Sequence, residues 1–272
     1  MTLRDQHVLI TGGSSGIGLA IAQQAAAEGA KVSLIARDQA KLEQARVEIV
    51  KHAPACLEIV TASADVSKDN EVQTALKTAE QTHGPIDVLI TSAGIAQAGY
   101  FEEIPTEVFE RTMAVNYFGT LYPIKTVLPA MRKRGHGVIL LVSSGVGLHG
   151  FFGYTPYGPT KFALRGLAES LRAEMKDTGV QISIVYPPDT DTPQLVEETR
   201  TKPIETKALT AQGGIWSAEN VAKLTLKGLK RGRFSITPGV PLTLLAWFHS
   251  LLAPVLYWSF DRTAKKARTN SE

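Results

Sequence analysis

Short apolar runs and longer helical patterns take turns along this chain. HVLIT at 7–11, KVSLIAR at 31–37, LEIVTASADV at 57–66, residues 86–91, GVILLVSS at 137–144, VQISIVYP at 180–187 and RFSITPG at 233–239 each read as a strand. Between them lie helical stretches: IGLAIAQQAAAEGA at 17–30, residues 38–52, EVQTALKTAEQ at 71–81, a long one at 109–132, one from Tyr157 onward, and SAENVAKLTLKGLK at 217–230. The helix after Tyr157 shows its buried face as Leu164, Leu167, Leu171 and Met175. Ser217 is suited to cap the last of these helices. Strands alternating with helices imply an α/β domain: a parallel sheet of about seven strands, right-handed crossovers, and ligands at the strands' C-terminal ends.

Composition narrows the class. With 272 residues, 44% hydrophobic and 20% charged, the chain can bury a full core as one α/β domain. A net charge of +3 is too small to imply nucleic-acid binding. The single cysteine, Cys56, excludes an internal disulfide and fits a reducing compartment. The first strand begins almost at once, so no signal peptide is expected. No metal site is expected.

Candidate chemistry gathers where strands end. The first strand runs into Thr11-Gly12-Gly13-Ser14-Ser15-Gly16-Ile17-Gly18, a TGxxxGxG turn that opens a helix. Glycines there let backbone approach a pyrophosphate, and the helix start offers unpaired N–H groups. The second strand ends at Arg37, one place before Asp38, where sites for NAD place an acid on the ribose 2′-hydroxyl. Arg37 suits a 2′-phosphate, with a hydroxyl from Ser14, which points to NADP(H); a surface Arg–Asp pair has the same sequence. Asp65 and Val66 end the third strand, placed to meet an adenine, and Ser92-Ala93-Gly94 follow the fourth.

The fifth strand ends at Ser144, and thirteen residues on comes Tyr157-Gly158-Pro159-Thr160-Lys161. Of seven tyrosines only Tyr157 has a lysine four residues later, one helical turn away. Pro159 falls in the first turn, where its missing N–H costs little. A cation beside a phenol favours the phenolate, so Lys161 is expected to bring Tyr157 toward neutrality, with Ser144 a hydrogen-bond donor. An amphipathic helix with a buried tyrosine and a surface lysine is the plainer alternative.

These residues resemble the short-chain dehydrogenase/reductase family over residues 5–240, carried by the TGxxxGxG turn, Asp65, Asn116, Ser144 and Tyr157-x-x-x-Lys161. The resemblance implies a Rossmann-type, doubly wound fold and a catalytic tetrad of Asn116, Ser144, Tyr157 and Lys161. It also implies that Lys161 holds the nicotinamide ribose, Asn116 a water behind Lys161, and Thr190 and Thr192 the carboxamide. Two departures stand out. The family's Asn-Asn-Ala-Gly reads Thr91-Ser92-Ala93-Gly94, so no side-chain role carries to Ser92. Its Pro-Gly after the sixth strand reads Pro187-Pro188.

The run Tyr186-Pro187-Pro188-Asp189-Thr190-Asp191-Thr192-Pro193, followed by EETRTKPIET, is similar to the branch that reduces 3-ketodihydrosphingosine. That likeness implies NADPH-dependent reduction of a long-chain keto-amine lipid. Asp189 or Asp191, following directly on the Pro-Pro turn at a strand end, is expected to recognise its amino group, accepting loop N–H bonds being the alternative role. A broader ketoreductase for steroids or 3-oxoacyl thioesters stays open, as does an NADP(H)-sensing binding protein.

The sequence divides into a catalytic domain at 1–239, with a substrate loop at about 188–216, and an apolar segment at 240–272 with a basic tail. Residues 240–260 read VPLTLLAWFHSLLAPVLYWSF, free of lysine, arginine and carboxylates. Pro241, His249, Ser250 and Pro254 argue against a clean transmembrane helix. Trp247, Tyr257 and Trp258 suit an interface, and Arg262, Lys265, Lys266 and Arg268 suit anionic headgroups. The expectation is a monotopic insertion on the cytoplasmic side of a membrane. Packing on the sheet or on a second copy in a homo-oligomer is the alternative.

Overall fold

The computed structural model describes residues 1–51, 53 and 58–269; Cys56 lies outside the described residues. Seven parallel strands form one sheet in the order β3-β2-β1-β4-β5-β6-β9. They are β1 (His7–Thr11), β2 (Lys31–Ala36), β3 (Ile59–Ser63), β4 (Val88–Thr91), β5 (Gly137–Val142), β6 (Val180–Val185) and β9 (Ser235–Ile236). The order reverses between β1 and β4, which pair from Val8↔Val88 to Thr11↔Thr91. In open α/β sheets the ligand crevice opens beyond such a reversal, because the flanking connections leave to opposite faces.

The continuous apolar runs follow from burial of both faces. Val8 and Ile10 point into one core, with α1 (Gly16–Ala27), α2 (Gln39–Val50) and α9 (Ala218–Lys230). Leu9 between them points into the other, with α3 (Asp69–His83), α5 (Gly119–Arg134) and α6 (Gly158–Glu174). Val138 and Leu140 against Ile139 and Leu141 repeat the alternation on β5. Ser217 caps α9 as expected, its hydroxyl accepting from the Asn220 N–H at 3.2 Å.

Two stretches differ from the sequence expectation. The single helix at 109–132 is two, α4 (Thr106–Met113) and α5, joined through a π turn at Ala114–Phe118. The wider turn lets Asn116 leave the regular ladder and bond across to neighbouring elements. The substrate loop at about 188–216 is folded, carrying α7 (Pro193–Thr201), α8 (Ile204–Thr210) and the strand pair β7 (Thr190–Asp191) with β8 (Trp216–Ser217). Thr192 caps α7, accepting from the Leu195 N–H, and Pro193 occupies its first turn.

A last helix, α10 (Val240–Thr269), leaves helical geometry at Phe248 (φ −120°, ψ 24°). It packs on α8 and also touches the turn after Ser144. Leu242 lies over Gly145, His149 Nδ1 is 3.4 Å from His249 Nε2, and Arg268 bonds the buried Glu205 at 2.6 Å.

Candidate active site

A crevice of about 310 Å³ runs over the C-terminal ends of the strands, from the start of α1 to Tyr157. At its floor the glycines are required by close approach. Gly12 has φ +69°, and a Cβ there would lie 2.6 Å from the Ala93 N; one on Gly18 would lie 2.3 Å from the Gly12 oxygen. A Cβ on Gly16 would meet the Thr192 side chain at 3.0 Å. Ser15 precedes α1 in extended backbone, its side chain makes no capping bond, and no acid stands in the first turn. The amides at the helix start are therefore open to a ligand, with the positive end of the dipole behind them. Ser14, Ser15, Gly16, Ile17 and Gly18 all line this end. A pyrophosphate fits the cradle.

Arg37 at the end of β2 lines the crevice with Asp65 and Val66 after β3. Asp38 beside it also lines the crevice and caps α2, its Oδ1 accepting from the Ala40 and Lys41 amides at 2.9 and 3.1 Å. Lys41, which the sequence reading missed, lines the same wall. Lys41 sits in the first turn of α2, just past Arg37 and the Asp38 cap. Against the cost of burial, hydrogen bonds from Ser67 and the charges of Arg37 and Lys68 hold Asp65 below the usual carboxylate range.

Tyr157 stands at the N-cap of α6, and both it and Lys161 are buried. Ser144 ends the chain's exit from β5, and its side chain and that of Gln194 lie close enough to the Tyr157 hydroxyl to favour its ionised form. Lys161 Nζ donates to the Val142 oxygen at 3.1 Å and sits 5.4 Å from the Tyr157 ring centre. The direction of the phenol's shift is opposite to the expectation. Burial first, then the negative charge of Glu198, push Tyr157 above its ordinary 10. Burial also pushes Lys161 down to about 8, Glu198 acting against it. A buried phenolate loses its water, and a lysine bonded to a carbonyl beside it does not make up the loss. Tyr157 thus keeps its proton through the neutral range, the state a proton donor needs.

Asn116 is buried behind this pair and outside the crevice lining. Its Oδ1 accepts from the Ile95 N–H at 2.8 Å, and its Nδ2 donates to the Ile95 oxygen at 3.0 Å and to Thr160 Oγ1 at 2.9 Å. It ties the Ala93–Gly94 end of β4 to the start of α6, which carries Tyr157 and Lys161.

The far wall comes from the folded 188–216 segment. Pro187 accepts from the Gly145 N–H at 2.8 Å and so fixes this segment to the Ser144 turn. Pro187, Thr190 and Thr192 line the crevice, as does Asp189, while Asp191 is exposed on β7 outside the lining. Asp189 is paired with the buried Lys202 at 3.6 Å. Among the polar lining residues of this wall not foreseen are Tyr154, Gln194 and Glu198. Gln194 and Glu198 are one helical turn apart on α7, in a stretch that reads as loop because Pro193 and a run of polar residues open it.

A family model described as short chain dehydrogenase matches residues 6–203. A 3-dehydrosphinganine reductase of Danio rerio is 43% identical over 257 residues, covering 94% of this chain and 77% of that one. A 3-ketodihydrosphingosine reductase of Mus musculus is 42% identical with the same coverage. Among solved structures, levodione reductase superposes with a TM-score of 0.80 at 26% identity, over 87% of this chain and 96% of that one. A short-chain dehydrogenase/reductase of Burkholderia phymatum, solved in complex with NAD, has the same fold: TM-score 0.83 at 22% identity, over 94% and 96%.

Proposed function

The chain belongs to the short-chain dehydrogenase family, an oxidoreductase family, and from that premise we propose that it reduces the 3-keto group of 3-ketodihydrosphingosine to dihydrosphingosine with NADPH. The observation that carries the reaction is the crevice itself, which begins at an open helix N-terminus and ends at a protonated, buried phenol. The relatives named above carry the substrate.

When bound there, the nicotinamide nucleotide supplies the hydride that becomes the new C–H bond at C3. Tyr157 gives its hydroxyl proton to the carbonyl oxygen as charge develops on it, so ketone, hydride and proton sum to the secondary alcohol. Ser144 donates to the same oxygen. Lys161, whose pKa near 8 lets it hold or lose a proton near neutrality, stands where it can steady the phenolate left behind. Asn116 keeps the two elements that carry these groups in register. The cradle residues Gly12 to Gly18, with Asp65, Val66, Ala93, Gly94, Pro187, Thr190 and Thr192, hold the nucleotide. Arg37 and Lys41 supply two cations for a 2′-phosphate; this supports NADPH over NADH.

The enzyme lies on the cytoplasmic side of a membrane through α10. Among the described residues this is the one helix long and apolar enough to cross a bilayer. Broken at Phe248 and charged beyond residue 260, it offers straight apolar pieces of about 13 and 18 Å, short of a bilayer core of about 30 Å. Insertion parallel to the surface fits that geometry, beside a substrate that resides in lipid.

The test is NADPH oxidation, followed by absorbance, with 3-ketodihydrosphingosine, a steroid ketone and a 3-oxoacyl thioester. Turnover is expected on the first above the others. Preference for either of the others refutes the substrate, and tight NADPH binding with no turnover on any of them makes this a binding protein.

A further inference from the structure

Glu198 is the one buried residue of α7, 7% exposed, and it faces the crevice. Its Oε2 accepts from the Tyr154 hydroxyl at 2.9 Å and its Oε1 from Gln194 Nε2 at 2.8 Å. Gln194 also lies close to the Tyr157 hydroxyl, so Glu198 is one side chain away from the reacting group. Among the described residues Glu198 forms no salt bridge, whereas the neighbouring acid, Asp189, is paired with Lys202. A buried carboxylate is costly unless a cation answers it. Two carboxylate oxygens offer about four acceptor sites, and Tyr154 and Gln194 take one on each. Capacity therefore remains, on the side that faces the crevice.

The charge of Glu198 reaches both Tyr157 and Lys161. A cation delivered by the substrate would sit beside the carbonyl carbon that Tyr157 serves. Resting on the substrate proposed above, we propose that Glu198 receives the ammonium on the carbon next to the reacting ketone. Glu198 is thereby the residue that selects a 2-amino ketone over a plain ketone, a role the sequence assigns to Asp189 or Asp191. Tyr154 and Gln194 orient its carboxylate, and the pairing turns the substrate so that the ketone oxygen meets Ser144 and Tyr157.

The experiment compares a short-chain 2-amino-3-ketone with the same ketone lacking the amine, for the wild type, Glu198→Gln and Asp189→Asn. A charge-assisted hydrogen bond is worth about 10- to 100-fold in affinity. Glu198→Gln should raise KM for the amino ketone by about that factor and leave KM for the plain ketone unchanged, while kcat, which the Glu198 charge reaches through Tyr157 and Lys161, shifts alike on both. Asp189→Asn should not separate the two substrates. An equal rise in KM on both ketones with Glu198→Gln overturns the assignment, and so does a selective loss with Asp189→Asn. If Glu198→Gln does not fold, Glu198→Asp carries the test: retracting the carboxylate by one methylene should lower the preference for the amine, and an unchanged preference overturns the role. A wild type that turns over only the plain ketone removes the proposed substrate and this inference together. A wild type that accepts the amino ketone, with Glu198→Gln raising KM equally on both ketones, removes this inference alone.

Discussion

Tyr157 and Arg37 are where single atoms decide the outcome. The Tyr157 hydroxyl is buried in the crevice beside Ser144, and with the proposed proton on it Tyr157→Phe should bind NADPH with little change and lose about 10²–10⁴-fold in turnover. Cofactor fluorescence titration alongside steady-state rates separates the two, and a variant keeping more than half of wild-type turnover sinks the role. Arg37 is exposed at the mouth of the crevice, so its contact with a 2′-phosphate is one of charge and geometry. Arg37→Ala should cost NADPH about 1.5–3 kcal/mol, roughly 10- to 100-fold, and leave NADH untouched. Equal use of both nucleotides before and after substitution contradicts this. Lys41 on the same wall predicts that the loss stays partial.

At the scale of the element, α10 carries two faces with different jobs. Toward the protein it presents Leu242, His249 and Phe260 to the turn after Ser144, where His149 and Phe151 receive them. Away from it, Val240, Leu244, Trp247, Leu251, Val255 and Trp258 are all exposed, spaced three and four residues apart along one side. Arg262, Lys265 and Lys266 continue that side into a basic end. A stripe of this size in contact with water is costly, since each large apolar side chain is worth about 1.5–3 kcal/mol on burial. Full-length protein should co-sediment with vesicles containing anionic lipid, less so at high salt as the basic end is screened. Replacing Trp247, Leu251 and Trp258 with Glu should leave it in the supernatant with NADPH binding intact, because those side chains point away from the domain. Wild-type protein that ignores the vesicles disproves the membrane role.

For the molecule as a whole, the buried Lys161 is a burden on folding. The folded pKa of Lys161 lies near 8, below its ordinary 10.5, so between those values the unfolded chain holds more protons than the folded one. Stability therefore rises with pH across about 8 to 10.5, and below 8 the buried cation costs its full amount. At about 1.4 kcal/mol per pH unit the cost is of order 3 kcal/mol. Lys161→Met should then be inactive yet more stable at pH 7, by about 1–3 kcal/mol, and should lose that part of the pH dependence. Urea unfolding of the nucleotide-free protein at pH 7 and 9.5 measures both. A variant no more stable than wild type, with the same pH slope, would show that Lys161 carries no such penalty.

The strands, their number, the doubly wound sheet and the phosphate turn were readable in one dimension, because each rests on local rules. Apolar runs buried on two faces look continuous, glycines mark where backbone meets backbone, and Ser217 caps a helix that begins beside it. The family was readable for the same reason, its marks lying in short motifs. Three things required the fold. The π turn at Asn116 exists because that side chain bonds Ile95 and Thr160, partners 21 and 44 residues away. The direction of the Tyr157 shift depends on how much water the closed crevice removes and on Glu198, 41 positions further on; the spacing of tyrosine and lysine carries neither. Which acid is left without a cation was decided by Lys202 reaching Asp189, a pairing between side chains that the chain brings together only when 188–216 folds into helices. Periodicity records what each residue does to its own element; charge, desolvation and pairing are set by whichever elements the fold places opposite.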